Sequence, residues 1–233
     1  MADAENHLIE LLPLKDRLRL LAICEPVRLV PGMVLSEPGK PTSHVYLPVE
    51  GFISLVAPVH GHPGLEVGMA GREGMLGTQL ALGVATAPLL ALVQAPGAAW
   101  RIGAEAFLKE LTHNVPLQLG LSRYIHVLMA QLASAATCVR YHLVSPRLAR
   151  WLLMSQDRTQ CDHFHVTHEC LAYLLGVRRV GITAAAGALQ RSGLIHYRRG
   201  DVTVLDRSGL EAAACSCYAT DRLVYAELLD QSP

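Results

Sequence analysis

Between Val115 and Val139 the apolar residues Leu121, Ile125, Leu128, Leu132, Ala135 and Val139 recur at steps of 4, 3, 4, 3 and 4, with Gly120 the only glycine and no proline after Pro116. That run predicts one unbroken helix of about seven turns. The strict 4–3 alternation gathers its apolar residues into the kind of seam by which a helix pairs with a copy of itself. Residues 111–143 are therefore expected to be a dimerisation helix, with Leu121, Ile125, Leu128, Leu132 and Ala135 at the interface. The competing reading is a helix laid against its own upstream half. Either way the chain has a long rod near its middle, and what flanks the rod must fold on each side of it.

Upstream, short apolar runs alternate with turn residues. Val27–Val30 precedes Pro31-Gly32, Val45–Leu47 precedes Glu50-Gly51, and Phe52–Val56 precedes Gly61, Pro63 and Gly64. Leu65–Met69 then precedes Gly71, and Leu89–Val93 precedes Pro96-Gly97. Turns at this spacing predict an antiparallel sandwich or barrel. One short helix, Leu8–Cys24 with Pro13 at its opening, is expected before it.

Downstream the charge changes. The 233 residues hold 20 Lys+Arg and 20 Asp+Glu, a net charge of zero, yet residues 140–200 carry nine Arg and no Lys against three acids. Arginine makes bidentate contacts with phosphate and guanine edges that lysine makes less well. Ser145-Pro146 reads as a cap with proline in the first turn, opening a helix at Arg147–Asp157.

Thr167 to Gln190 then has the pattern of a helix-turn-helix. Thr167 caps the first helix and Glu169 sits in its positive first turn. Leu171, Ala172 and Leu175 face inward, Gly176 supplies the left-handed stop, and Val177, Ile182, Ala185 and Leu189 give the second helix its buried side. Arg178, Arg179, Thr183 and Gln190 are left on the exposed side, where such a helix presents its first residues to the major groove. Two β runs follow around Arg198-Arg199-Gly200-Asp201, a hairpin whose Gly-Asp suits a tight turn and whose arginines are placed for phosphate. This is a winged helix, with Arg178, Arg179, Thr167, Thr183, Gln190, Arg198 and Arg199 as the residues expected on DNA.

A β-rich half, a long helix and a winged helix in that order resemble the Crp/Fnr family of bacterial transcription regulators. The resemblance spans nearly the whole chain and is carried by Arg147-Leu-Ala-Arg-Trp-Leu-Leu, Leu175-Gly-Val-Arg-Arg and Gly193-Leu-Ile-His-Tyr-Arg-Arg-Gly. It implies an α+β chain with a cyclic-nucleotide-binding-like antiparallel β-roll at 1–110 and the dimerisation helix at 111–143. A winged helix-turn-helix with a C-terminal helical segment would fill 144–233. It also implies a homodimer on a two-fold symmetric site in double-stranded DNA, a small-molecule effector, RNA polymerase as a further partner, and no catalysis. The second arginine at the start of the family's recognition helix corresponds to Arg179. Val180 and Ala184 stand where well-studied members carry an acid and another arginine, and Gly181 replaces a hydroxyl residue, so no known operator carries over.

The effector segment departs further. Gly71-Arg-Glu-Gly-Met-Leu-Gly-Thr-Gln-Leu matches the region that holds cyclic AMP in members that bind it, which places an effector pocket at Gly74, Gly77 and Thr78. Thr78 replaces the ribose-binding Glu, Ala87-Pro88 replaces an Arg-Ser pair, and no Lys or Arg occurs between Arg72 and Arg101. A buried phosphate without a cation is costly, so cyclic AMP is not expected to bind.

Metal and redox chemistry leave few traces. One cysteine, Cys24, precedes Cys138, too few for an N-terminal iron–sulfur cluster. Any one of His44, His60, His62, His113 or His126 has the ring needed for an axial haem ligand, and each reads better as an ordinary histidine. Cys215 and Cys217 read as reduced core thiols in a helix, where residues two apart point away from each other. His60, His62 and Glu66 have the spacing of a cupin metal site, but Gly61, Pro63 and Gly64 make that stretch a hairpin turn. Cys161, His163, His165, His168 and Cys170 are soft and imidazole ligands at close spacing, a possible regulatory site that would strain the Thr167 cap. No cofactor and no metal is therefore assigned. The apolar runs fall short of the roughly 18–20 residues of a membrane span, and MADAENHLIE has acids where a secretory leader has bases. These features predict a cytoplasmic protein with no membrane partner.

Overall fold

The computed structural model describes residues 6–229, without the side chains of His62 and Pro63. Two short helices, α1 (His7–Glu10) and α2 (Leu14–Leu21), lead into seven strands. These are β1 (Glu25–Leu29), β2 (Val34–Ser36), β3 (His44–Pro48), β4 (Phe52–Val59), β5 (His62–Ala70), β6 (Leu90–Ala95) and β7 (Gly97–Gly103), with a 3-10 turn at Thr78–Leu82. Helices α3 (Ala104–His113), α4 (Val115–Tyr141) and α5 (Val144–Thr159) follow. The chain closes with β8 (His163–His165), α6 (His168–Leu175), α7 (Arg179–Arg191), β9 (Ile195–Arg198), β10 (Asp201–Val204), α8 (Arg207–Ala213) and α9 (Cys217–Leu229). The chain is α+β, with antiparallel sheets throughout.

The N-terminal strands form two layers, β2-β6-β4-β5 and β1-β7-β3. The expected strands are present, and two were not foreseen. β2 is three residues long, and β7 (Gly-Ala-Ala-Trp-Arg-Ile-Gly) has neither an apolar run nor β-branched residues beyond Ile102. The turn of the β4–β5 hairpin is His60-Gly61 alone, with Val59 paired to His62. Pro63 thus lies in a strand rather than in the turn, which an edge strand such as β5 tolerates because its outer N–H groups have no ladder to serve. The single N-terminal helix expected over Leu8–Cys24 is two helices, because Pro13 caps the second instead of continuing the first.

α4 is the predicted long helix, capped by the Asn114 side chain on the Leu117 N–H. Its buried line runs through Leu117, Leu121, Tyr124, Val127, Gln131, Ala135 and Cys138. Leu121 and Ala135, expected at a dimer interface, are therefore buried in their own chain, Leu121 among Leu8, Leu20, Met75 and Phe107. The seam lies along the border of that inward face. Ile125, Leu128 and Leu132 are half-buried, and Val139 is exposed.

The two halves share one core. Phe52, Val56, Met69 and Ala95 of the strands cluster with Leu148, Trp151 and Leu152 of α5 and with Leu171, Leu175, Ile182 and Leu189 of α6 and α7. Trp151 joins them. Its ring meets Phe52 and Phe164 edge-on, at 6.3 and 6.4 Å between centroids, and its Nε1 donates to Glu66 Oε1 at 2.8 Å. The last helix, α9, returns to lie along α4, with Leu229 in the core beside the N-terminal helices.

Candidate nucleic-acid interface

Thr167 takes an extended conformation and its Oγ1 accepts from the Cys170 N–H at 3.1 Å, the capping bond that starts α6. Gly176 ends α6 at φ 63°, a backbone that side chains other than glycine and asparagine rarely adopt. A Cβ there would also come within 2.9 Å of Leu65 in β5. The α7 axis turns by 110° from that of α6, within the range of helix-turn-helix pairs. Buried Arg147 of α5 donates to the carbonyl of Leu175 and so satisfies one of the free carbonyls at the end of α6.

α7 begins one residue after Arg178, which forms its cap position. Arg178 and Arg179 are exposed and, like Arg198 and Arg199, make no ion pair among the described residues. Four exposed guanidinium groups, two at the start of α7 and two at the wing tip, are thus free of ion pairs among the described residues. Thr183 is exposed one turn along α7, but its hydroxyl already donates to the Arg179 carbonyl at 3.2 Å and lies 3.1 Å from His168 Nδ1. Burial first, and Arg179 second, hold the His168 imidazole below its ordinary range. Gln190 is exposed, yet its Oε1 accepts from the Tyr197 N–H at 2.7 Å. It therefore anchors the wing strand to α7, and the wing in turn is aligned with the helix.

The wing is a three-stranded sheet, β8-β10-β9. Its tip is Arg199-Gly200, with Arg198 paired to Asp201. The Gly-Asp pair expected to make the turn does not: Arg199 and Gly200 are the two central residues, at φ 53° and 90°, the two-positive-φ signature of a type I′ hairpin. Gly200 also lies against His165, whose ring a Cβ would meet at 2.5 Å.

Val180 is a surface residue whose exposure the sequence reading did not use. It is 73% exposed on the first turn of α7, and Ala184 is exposed one turn later. The sequence shows only that an acid and an arginine are missing there. The structure shows that two small apolar groups stand in their place beside Arg179, the kind of surface that packs on thymine methyl groups.

The other expected sites differ in their surroundings. In the segment where an effector pocket at Gly74, Gly77 and Thr78 was expected, Gly74 packs against the Tyr124 ring of α4, which a Cβ would meet at 2.1 Å, and Gly77 packs against Val45 of β3. A cleft of about 550 Å³ opens instead between the strands and the wing, lined by Arg72, Gln94, Trp151, Arg158, His163 and His165 among others. Cys161, His163, His165, His168 and Cys170 do not gather around a point. His163 Nδ1 lies 3.2 Å from Thr203, His165 Nδ1 2.9 Å from Asp201, and Cys170 bonds Gln94. Glu66, the carboxylate of the cupin-like spacing, is taken up by Ser54 and Trp151.

A roll of antiparallel strands, a long helix and a winged helix-turn-helix with unpaired arginines follow one another along the chain. Residues 146–213 match the family model of the Crp-like helix-turn-helix domain. Over most of its length the chain has the fold of solved Crp/Fnr regulators. It is similar to CLP, the c-di-GMP responsive global regulator of Xanthomonas campestris (19% identity, 82% of this chain and 99% of that one, TM-score 0.67). FixK2 from Bradyrhizobium japonicum shares 11% identity over 83% of this chain and 98% of its own, at a TM-score of 0.69. A protein described as a transcriptional regulator of the Crp/Fnr family from Eubacterium rectale shares 17% over 90% and 99%, at 0.66. No curated protein sequence matches the chain. The matches are to transcription regulators and not to enzymes, and no single helix among the described residues is long and apolar enough to cross a membrane.

Proposed function

We propose that the protein is a sequence-specific transcription regulator that binds a two-fold symmetric DNA site as a homodimer without cyclic AMP. The observation that carries this reading is the set of unpaired, exposed arginines at the start of α7 and the tip of the wing. Arg178 and Arg179 are placed to read base edges in the major groove, with Val180 and Ala184 against thymine methyls. Arg198 and Arg199 grip phosphates and fix the register. Gln190 and Thr167 support the reading head from within, one through the wing and one through the cap.

The second protomer would pack on Ile125, Leu128 and Leu132, the part of the α4 seam that its own chain leaves half-covered. Leu121 and Ala135 drop out of that interface. Two features support the absence of cyclic AMP from this reading: the sequence has no Lys or Arg between Arg72 and Arg101, and the Tyr124 ring packs against Gly74. RNA polymerase and an effector for the 550 Å³ cleft belong to this reading as partners still to be sought.

Selection from a random duplex library with the purified protein tests the reading. Enrichment of a palindrome with half-sites about one helical turn apart, and affinity that falls steeply with salt, are expected. Absence of enrichment, or micromolar cyclic AMP binding by calorimetry, would overturn the corresponding part.

A further inference from the structure

Cys138 lies on the last buried turn of α4, and His142, four residues on, is the residue that caps it. Cys215 and Cys217 flank Ser216 in the connection from α8 to α9. They are far away in sequence, yet the four side chains meet. Cys138 Sγ lies 3.5 Å from Cys215 Sγ, and Cys217 Sγ lies 3.6 Å from His142 Nδ1. All four ligand atoms fall within 4.8 Å of one another.

The expectation that Cys215 and Cys217 point apart fails for a local reason. α8 stops at Ala213, and Ala214 is extended at φ −74° and ψ 158°. Cys215 is therefore out of the helix, fastened by its N–H to the Pro146 carbonyl at 3.3 Å, while Cys217 begins α9. A Cys-x-Cys pair in such a bend can turn both sulfurs to one side, which a continuous helix forbids.

We propose that Cys138, His142, Cys215 and Cys217 form a binding site for a zinc ion. A tetrahedral centre with Zn–S of about 2.3 Å and Zn–N of about 2.0 Å places its sulfurs about 3.8 Å apart and sulfur and nitrogen about 3.5 Å apart. The Cys138–Cys215 separation of 3.5 Å and the Cys217–His142 separation of 3.6 Å agree with those values to within a few tenths of an ångström, and the remaining pairs lie within 4.8 Å. Three thiolates and a neutral imidazole are a donor set for zinc, and with all four positions supplied by the chain the site is closed, so it is structural or regulatory rather than catalytic.

Charge supports the assignment independently. The three cysteines are buried, and each binds as thiolate after its proton passes to solvent. With Zn(II) the centre carries a net charge of −1. Arg147 lines the same small cavity as Cys138, is 7% exposed, and has no carboxylate partner among the described residues, only the Leu175 carbonyl. A buried guanidinium without an anion is costly. A metal–thiolate centre of charge −1 beside it is the missing counter-charge.

The site sits where its occupancy matters. His142 and Leu143 are the whole connection between α4 and α5, so this corner sets how the winged helix is held on the long helix. A bound zinc would tie the end of α4 to the α8–α9 bend, and with it fix the corner. The effect on DNA binding rests on the function proposed above, whereas the metal site itself does not.

The test begins with the full chain, reduced and stripped of metal. One equivalent of Co(II) should give thiolate-to-cobalt charge transfer in the near ultraviolet and the intense visible bands of tetrahedral cobalt, displaced by one equivalent of Zn(II). Zn(II) should also raise the melting temperature of the native chain. Cys217→Ser and His142→Ala should bind more than roughly 100-fold more weakly, beyond the 10- to 100-fold cost of changing an outer partner. Cys161→Ser and His163→Ala, outside the site, should behave as wild type. A native chain that shows no charge transfer, or equal binding by the Cys217→Ser and His142→Ala variants, overturns the proposal. So does a purified protein two hydrogens lighter, with Cys138 joined to Cys215 and no metal. Selected DNA sites titrated with and without Zn(II) then report the regulatory effect, and failure there with a sound metal signal counts against the DNA reading alone.

Discussion

Arg179 is the residue on which sequence specificity should turn. It is exposed, unpaired and on the first turn of α7. Losing one base-reading arginine costs about 1–3 kcal/mol and relaxes preference at one base pair. Arg179→Ala is thus expected to weaken binding roughly 5- to 150-fold per half-site, as read by competition against the selected sequence. Glu66 makes a prediction of another kind. It is a half-buried residue of β5 set against Trp151 of α5, and desolvation raises its carboxyl from an ordinary 4.5 to about 7, against the opposing pull of Ser54, Trp151, Arg158 and Arg150. Between those two pH values the folded chain holds a proton that the unfolded chain has released. Stability from this group is therefore fully present below about 4.5 and is lost as pH rises through 7, by on the order of 3 kcal/mol. Glu66→Gln keeps an acceptor for Trp151 and sets an uncharged amide beside Ser54, whose hydroxyl would then accept where it now donates, and should flatten the fall. The check is the wild-type minus variant difference in melting temperature from pH 5 to 8, and equal slopes would sink it. Thr167 and Gly176 could be placed from sequence because each answers a demand of its own backbone, and the exposure of Arg178 and Arg179 could be read because Ile182, Ala185 and Leu189 take the buried side of α7. Gln190 and Thr183 could not, since the atoms that occupy them come from the wing and from α6.

At the scale of elements, α4 shows what periodicity can and cannot settle. Its extent was legible because one unbroken pattern defines it. Its facing was not, because an apolar seam records that a side is covered and not by what. In the structure Leu121 and Ala135 are covered by the chain's own strands and N-terminal helices, and Ile125, Leu128 and Leu132 only partly so. If the proposed homodimer forms on this side, Ile125→Glu should leave the far-ultraviolet dichroism intact and turn a dimer into a monomer in sedimentation. A dimer that survives the change would move the interface elsewhere. α6 makes a second prediction. Gly176→Ala would strain a left-handed position and press on Leu65, and should cost more than about 1 kcal/mol in denaturant unfolding. Strands β2 and β7 were invisible to sequence for the opposite reason from α4. They are short or poor in β-branched residues and gain their place from neighbours already paired.

For the whole molecule, the proposed pair of reading heads on one duplex would make the salt response a measure of architecture. Each wing arginine occurs twice in a dimer, so Arg199→Ala should reduce the slope of log K against log salt by about two, at roughly 0.9 per phosphate. It should weaken all sequences alike. A change near one would mean that a single protomer engages DNA. The order of the modules could be read from sequence because composition and period change at their borders. The shared core between the strands and the winged helix could not, because contacts such as Gly176 on Leu65 join segments more than a hundred residues apart.

Trp151 gives that shared core a voice. It is one of two tryptophans, the other being Trp100 in β7, and it alone touches strand, wing and a carboxylate at once. With Trp100 replaced by phenylalanine, the intrinsic emission of the protein would come from a single indole wedged at the junction. If a ligand entering the neighbouring cleft or a partner duplex pulled the reading head from the roll, water would reach that ring and its emission would shift to the red. The molecule thus carries its own optical gauge of whether its two halves are engaged, with no dye attached.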